Sequence, residues 1–135
     1  LCSGKVYYDL LAERDAQGMD DTYLLRIEQL YPAPTISLTQ ELGRFPKADF
    51  VWCQEEPKNQ GAWSFIEPEI EAILTKVRGK TTRMSYAGRN ASASPATGLA
   101  SRHKYEQQQL VAQALGLAAQ EVIEVLRFAC HGPTP

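Results

Sequence analysis

Apolar residues recur at helical spacing in four stretches of this chain. In the third stretch, Ile66, Ile70 and Leu74 fall four residues apart, which places them on one face of a helix. The same spacing predicts helices over residues 6–17, 35–45, 63–77 and 99–115. Glycines and prolines close to these stretches mark the expected helix ends.

Short apolar runs separate the predicted helices. We expect strands at residues 1–2, 23–27, 50–53 and 81–86. The run at 50–53 contains no charged residue, as is typical of a strand that is covered on both faces. Strands and helices then alternate as βαβαβαβα, which predicts an α/β fold with a largely parallel sheet.

Length and composition favour a single globular domain. The chain has 135 residues, of which 44% are hydrophobic and 22% charged, enough to bury a core without metal or disulfide support. No apolar run approaches the length of about 20 residues that a membrane-spanning helix needs. Leu1-Cys2 resembles the end of a strand whose beginning is missing, so we expect the chain to be part of a longer polypeptide.

Charge is unevenly distributed along the chain, although the formal net charge is only −2. Residues 1–71 carry 6 basic and 13 acidic side chains, whereas residues 72–105 carry 7 basic and no acidic ones. This basic window either folds back on the acidic first half or faces an anionic partner. A nucleic acid is not the expected partner, because the isoelectric point is about 5.7 and no recognition motif accompanies the window.

The three cysteines lie far apart, at Cys2, Cys53 and Cys130, and their odd number argues against a disulfide framework. With no CxxC motif and only two histidines, we expect no zinc site, and free thiols in a reducing compartment. His103 falls with Leu99 on the apolar stripe of the last predicted helix. That position favours a buried histidine over a ligand or a base.

Two loops at predicted strand ends could bind an anion. Ser3-Gly4-Lys5 opens a helix, so free backbone N–H groups and the Lys5 ammonium could hold a negative charge there. Residues 88–98 offer Arg89, Ser92 and Ser94 before the last helix, and an arginine can hold a phosphate in a bidentate fork. The alternatives are a plain strand-to-helix turn for the first loop and a flexible connector for the second.

A third loop, residues 55–63, carries adjacent carboxylates and an aromatic residue. Glu55 and Glu56 could serve acid–base chemistry or fix a partner chain. Adjacent residues of an extended chain point to opposite faces, which argues against a facing catalytic pair. We therefore expect an interface loop with Trp63 as its anchor.

Four blocks of sequence at these loops resemble one family. Residues 2–11, 26–32, 52–63 and 86–98 are similar to the C-terminal domain of the E1 component of 2-oxoglutarate dehydrogenase. The likeness runs over residues 1–116 and implies a three-layer, Rossmann-like, transketolase-like domain. Residues 117–135 do not resemble the family's usual short ending, so we treat them as a separate tail.

The resemblance implies a parent enzyme of the tricarboxylic acid cycle that uses thiamine diphosphate and Mg²⁺. Such an enzyme decarboxylates 2-oxoglutarate, passes the succinyl group to the lipoyl group of the E2 succinyltransferase, and works beside E3. It is a homodimer. The thiamine-binding motif of the family, GDG followed by NN, is absent from this sequence, so we expect no catalytic residue, cofactor or metal in this chain.

Likeness to the family implies an interface role for one group of residues, and the chemistry of the loops makes a second group candidates for effector binding. Glu55, Glu56, Gly61 and Trp63 are expected near the subunit interface, with the rest of E1 and the second E1 subunit as partners. As an alternative, the chain is a regulatory module for an adenine-containing effector, AMP or acetyl-CoA, with candidate contacts at Lys5, Arg89, Ser92 and Ser94. The bacterial cytoplasm and the mitochondrial matrix are both expected compartments.

Overall fold

Four helices and two strands make up the structured part of this chain. The structure, a computed structural model, describes residues 1–117. In chain order the elements are α1 (Val6–Ala16), α2 (Thr35–Gly43), β1 (Val51–Pro57), α3 (Trp63–Arg78), β2 (Ser85–Arg89) and α4 (Ala100–Leu115). Each predicted helix is present with its ends within two residues of the predicted ones, because the apolar spacing records the buried face directly.

Parallel pairing connects four segments of the chain. β1 and β2 pair in parallel, with Val51 opposite Ser85 and Cys53 opposite Ala87. Cys2 forms isolated parallel bridges with Arg26 on one side and with Cys53 on the other. The four predicted strand regions therefore lie in the order second, first, third, fourth, all parallel, and the predicted α/β fold is confirmed.

The predicted strands differ in detail from the observed ones. Residues 1–2 and 23–27 make only the isolated bridges at Cys2 and Arg26 and are not strands. The fourth strand begins at Ser85 and not at residue 81, because side chains of α3 accept hydrogen bonds from backbone N–H groups that precede Ser85. The Thr82 N–H donates to the Thr75 hydroxyl at 3.2 Å, and the Met84 N–H donates to the Glu71 carboxylate at 2.9 Å.

Helices cover both faces of the sheet and give three layers. Trp52 points to the face covered by α2 and α3, where Leu38, Ile66 and Ile70 are buried around it. The next residue, Cys53, points to the face covered by α1 and α4. Alternation along β1 thus divides the core into two clusters, one on each side of the sheet.

Helix α4 is buried only in its second half, which corrects one expectation. Its buried side chains are Leu110, Val111, Ala112 and Leu115, whereas His103 and the preceding Leu99 are exposed. The first turns of α4 lie beside the 88–98 loop, where they contact polar side chains. His103 is thus a surface residue. Helical spacing identifies the apolar face of a helix, but it does not show how far along the helix that face is covered by other elements.

Two of the expectations from the sequence concern residues outside the described range. The predicted tail was residues 117–135, and all of it except Leu117 falls outside residues 1–117, as does Cys130. Within residues 1–117, no helix is both long and apolar enough to span a lipid bilayer.

Candidate functional site

A cavity lies where the order of the parallel segments reverses, between the segment of Cys2 and β1. In open parallel sheets, this reversal point leaves a crevice beyond the carboxyl ends of the strands, where ligands bind. We name this space, of about 450 Å³, the switch-point cavity. Its lining combines apolar and acidic groups: Leu30, Trp52, Ala62, Phe65, Glu55 and Glu56.

The buried side chain of Gln54 fixes the loop that forms one side of this cavity. Gln54 is only 3% exposed. Its Oε1 accepts from the Trp52 indole N–H at 3.1 Å and from the Trp63 backbone N–H at 3.0 Å. Its Nε2 donates to the carbonyls of Gln60 at 2.7 Å and Pro57 at 3.2 Å. One amide thereby holds the end of β1, the following turn and the start of α3 in fixed positions.

The predicted interface residues occupy different environments. Glu55, Glu56 and Gly61 line the switch-point cavity together. Gly61 has φ +67°, and a Cβ there would lie 3.0 Å from the Gln54 Nε2, so both conformation and space call for glycine. Trp63 is buried in the core, with its ring 5.1 Å from the Tyr86 ring. The aromatic residues that line the cavity are Trp52 and Phe65.

Carboxylates of the same chain already occupy the donors of the first turn. The Gly4 N–H donates to the Glu28 carboxylate at 2.9 Å, and the Lys5 ammonium donates to Glu55 at 2.6 Å. The Glu55 hydrogen bond raises the pKa of Lys5, but the Lys5 side chain is 69% exposed, so water screens the pair and its contribution to stability is small. This turn therefore has its anion partners within the chain.

A second cavity, of about 430 Å³, lies beside the 88–98 loop and brings Arg89, Ser92 and Ser94 together. Asn59 connects this loop to the end of β1. Its side-chain amide donates to the Ser92 carbonyl, and its carbonyl oxygen accepts from the Ser92 N–H, both at 3.0 Å. Lys5 does not line this cavity, which we name the Arg89 cavity. The structure thus groups three of the four predicted anion-binding residues.

Three residues of α4 surround Arg89, and none of them was predicted from the sequence to belong to this site. Arg89 Nη2 lies 2.8 Å from His103 Nδ1, and Arg89 Nε lies 3.2 Å from the Glu106 carboxylate without hydrogen-bonding geometry. Arg102 also pairs with Glu106, at 2.8 Å. The spacing of Arg102 and Glu106 at i and i+4 is a detectable signal of an ion pair, but their proximity to Arg89 depends on the fold.

The two described thiols are buried and protonated. Cys2 and Cys53 are free and lie on the sheet face covered by α1 and α4. Burial raises the pKa of both thiols, that of Cys53 to about 12. Since the thiolate is the reactive form, neither side chain is suited to nucleophilic catalysis.

The described residues do not fit the metal that the sequence resemblance implies. Within residues 1–117, no group of three or more His, Cys, Asp or Glu side chains could hold a metal ion. Of the two carboxylates in the switch-point cavity, Glu55 is already committed, since it binds Lys5 and Gln107. No reaction step through Mg²⁺ or thiamine diphosphate is therefore assigned to these residues.

Fold and site together define a doubly wound α/β domain with a crevice at its switch point. Residues 1–115 match the family described as 2-oxoglutarate dehydrogenase C-terminal. The chain belongs to this family, which confirms the resemblance found in the sequence.

Full-length relatives extend well beyond this domain. The 2-oxoglutarate dehydrogenase E1 components of Brucella anthropi, Brucella ovis and Brucella melitensis are each 59% identical to this chain over 116 residues. The match covers 86% of this chain and 12% of each relative. The chain thus spans about an eighth of the length of the relatives that it matches.

Proposed function

We propose that this chain is the C-terminal assembly domain of a 2-oxoglutarate dehydrogenase E1 component and does no chemistry of its own. The observation that carries the proposal is the family match over residues 1–115, at 59% identity to proteins that bear this name. In the proposed parent enzyme, the remaining polypeptide holds thiamine diphosphate and Mg²⁺ and decarboxylates 2-oxoglutarate. The succinyl group then passes to the lipoyl group of E2, in a complex that includes E3.

The geometry of the switch-point cavity supports an assembly role. Gln54 holds the loop through five hydrogen bonds of 2.7–3.3 Å, so Glu55, Glu56 and Gly61 present a rigid edge. A rigid surface loses little conformational entropy on association, which favours a docking function. We propose this edge as the contact with the rest of the E1 polypeptide and the second subunit. The bacterial relatives favour the bacterial cytoplasm as the compartment.

A domain exchange tests the assembly role. Residues 1–116 of this chain replace the matching segment of the Brucella anthropi E1 component, and decarboxylation of 2-oxoglutarate is measured with thiamine diphosphate and Mg²⁺. We expect the chimera to be active and the isolated chain to be inactive under the same conditions. Turnover by the isolated chain would contradict the proposal, as would a folded, dimeric chimera without activity.

The Arg89 cavity favours a second candidate function, the binding of an anionic effector such as AMP or acetyl-CoA. The Arg89 side chain is only 10% exposed, and its Nε donor is buried without a hydrogen bond. A phosphate in the cavity could accept from the Arg89 guanidinium and from the Ser92 hydroxyl, whereas the Ser94 hydroxyl already donates to the Ala96 carbonyl at 2.8 Å. The observation that supports this candidate is the buried Arg89 guanidinium, whose Nε lacks a hydrogen bond. No sequence motif supports it.

Calorimetric titration of the full chain with AMP, acetyl-CoA and ATP tests the effector candidate. Arg89→Ala should abolish the heat of binding, whereas Arg83→Ala, an exposed arginine paired with Glu71, should leave it unchanged. Absence of heat with all three compounds would retire the effector candidate for this chain. Equal binding by both variants would remove Arg89 from the site.

A further inference from the structure

A largely apolar groove lies between α1 and α4, on one face of the sheet. We name it the α1–α4 groove; it has a volume of about 580 Å³, and its lining includes Ala12, Ala16, Gln108, Val111, Ala112 and Leu117. Ala12 and Ala16 are exposed, and their short side chains leave space above the buried Val111. None of the lining residues belongs to the switch-point cavity or to the Arg89 cavity, so the groove is a separate surface.

The end of α4 directs the following chain into this groove. Gly116 has φ +70°, and its N–H donates to the Gln113 carbonyl at 3.2 Å. The Leu117 N–H donates to the Ala112 carbonyl at 2.9 Å. This pair of hydrogen bonds is a Schellman motif, in which the chain turns back on the last turn of its helix. Since Leu117 itself lines the groove, residue 118 starts from within it.

The sequence that follows Leu117 has the pattern that an apolar groove requires. Val122, Ile123 and Leu126 fall at positions i, i+1 and i+4, a spacing that predicts one apolar helix face. Eleven residues in helical conformation, 118–128, would span about 16 Å, which is also the rise of α4 between Lys104 and Leu115. The segment therefore matches the groove in length as well as in polarity.

Polar atoms in the lining call for hydrogen-bond donors from an occupant. The side-chain oxygens of Gln107 and Gln108 are buried without a hydrogen-bond partner among the residues described. A buried acceptor without a donor is costly, which disfavours a purely apolar occupant. On the α1 side, Asp9 and Glu13 form no ion pair within residues 1–117. Arg127 would bring a guanidinium with five N–H donors to these acceptors.

We propose that residues 118–128 of this chain bind in the α1–α4 groove, antiparallel to α4. Their apolar face covers the groove, and Arg127 pairs with the carboxylate of Asp9 or Glu13. The chain's own segment is favoured over a second copy or a small ligand, because its attachment at Leu117 gives it a high effective concentration at the groove. This contact involves none of the residues of the proposed assembly edge.

Methyl NMR of the full 135-residue chain tests the proposal directly. We expect nuclear Overhauser contacts from the Ala12 and Ala16 methyl groups to the methyl groups of Val122, Ile123 or Leu126. A mixture of labelled and unlabelled chains should show none of these contacts between chains. Their absence from the full chain would overturn the proposal, as would contacts that arise only between chains.

Substitution of the groove provides a second measurement with a matched control. Ala12→Glu places a charge in the groove and should abolish the contacts from the tail to Ala16. Ala100→Glu adds the same charge at an exposed alanine of α4 that does not line the groove, and it should preserve them. Contacts that persist in Ala12→Glu would overturn the proposal. Circular dichroism establishes that each variant is folded.

Substitution of the tail tests the same contact from the other side. Leu126→Ser should accelerate amide hydrogen exchange in the second half of α1 roughly tenfold or more, because the groove loses a buried leucine side chain. Gln120→Ser is the control, since residue 120 lies off the apolar face, and it should leave the exchange rates unchanged. Equal exchange rates in α1 for the two variants would contradict the proposal.

Discussion

Replacing Gln54 with leucine should destabilise the domain more than any exposed glutamine substitution. Leucine fills a similar volume but leaves the Trp52 indole N–H and the Trp63 backbone N–H without their shared acceptor. Each buried polar group left unpaired costs about 1–3 kcal/mol. The two together give a loss of about 2–6 kcal/mol, a large fraction of a total stability of about 5–15 kcal/mol.

A second substitution separates the acceptor from the donors of Gln54. Gln54→Glu keeps an acceptor for the two tryptophans but turns the Nε2 donor into an oxygen that faces the Gln60 and Pro57 carbonyls. Protonation restores one donor, so folding raises the pKa of the introduced carboxyl. The unfolded state then ionises first, and the stability of this variant should fall as the pH rises above about 4.3.

Urea unfolding followed by tryptophan fluorescence measures both effects. Gln40→Leu is the control, because Gln40 is exposed on α2 and should change stability by less than about 0.5 kcal/mol. A Gln54→Leu variant whose loss equals that of the control would refute the role of Gln54 in holding the loop. A Gln54→Glu variant with the pH dependence of the unmodified chain would refute the role of its donors.

Three further predictions concern single residues. Gly61→Ala should cost about 1–3 kcal/mol more in urea unfolding than Gly18→Ala, because both have positive φ but only at Gly61 does a Cβ meet neighbouring atoms at 3.0 Å; equal losses would contradict this. In a Cys130→Ser background, Cys53 should resist alkylation by iodoacetamide at pH 8 until the chain unfolds, because burial raises its pKa to about 12. Mass spectrometry measures the alkylation, and modification of Cys53 in the folded chain would contradict this prediction. Burial raises the pKa of Tyr86 to about 12, so the unfolded state loses this proton first and stability falls as the pH rises from about 10 to 12. Tyr86→Phe should remove this part of the alkaline slope in pH-dependent urea unfolding, and an unchanged slope would exclude Tyr86 as its source.

The helices could be predicted from the sequence because their signal is local. Ile66, Ile70 and Leu74 follow the period of one helix face, and all three are buried as that period requires. The strand regions were harder to predict than the helices, since strand pairing depends on residues that are far apart in the sequence. Cys2 pairs with both Arg26 and Cys53, and nothing in the spacing of these residues specifies that order.

The candidate site was only partly predictable, because its chemistry is set by contacts across the fold. Glu55, Glu56 and Gly61 were selected from one loop, and they do line one cavity. Trp63 was predicted to anchor an interface because it is a large aromatic residue. It is instead buried in the core at the start of α3, where its backbone N–H donates to Gln54.

The basic window shows why a charge count along the chain does not determine the partner of each charge. Arg83 follows the expectation that the window folds back on the acidic half, since it pairs with Glu71 at 2.9 Å. Arg89 and Arg102 do not, because both turn to the single carboxylate of Glu106. Two guanidiniums that share one carboxylate leave a net positive charge beside Ser92. Because the Arg89 side chain is only 10% exposed, water screens its charge less than at an open surface, and this supports the proposed site for an anion over one for a neutral ligand.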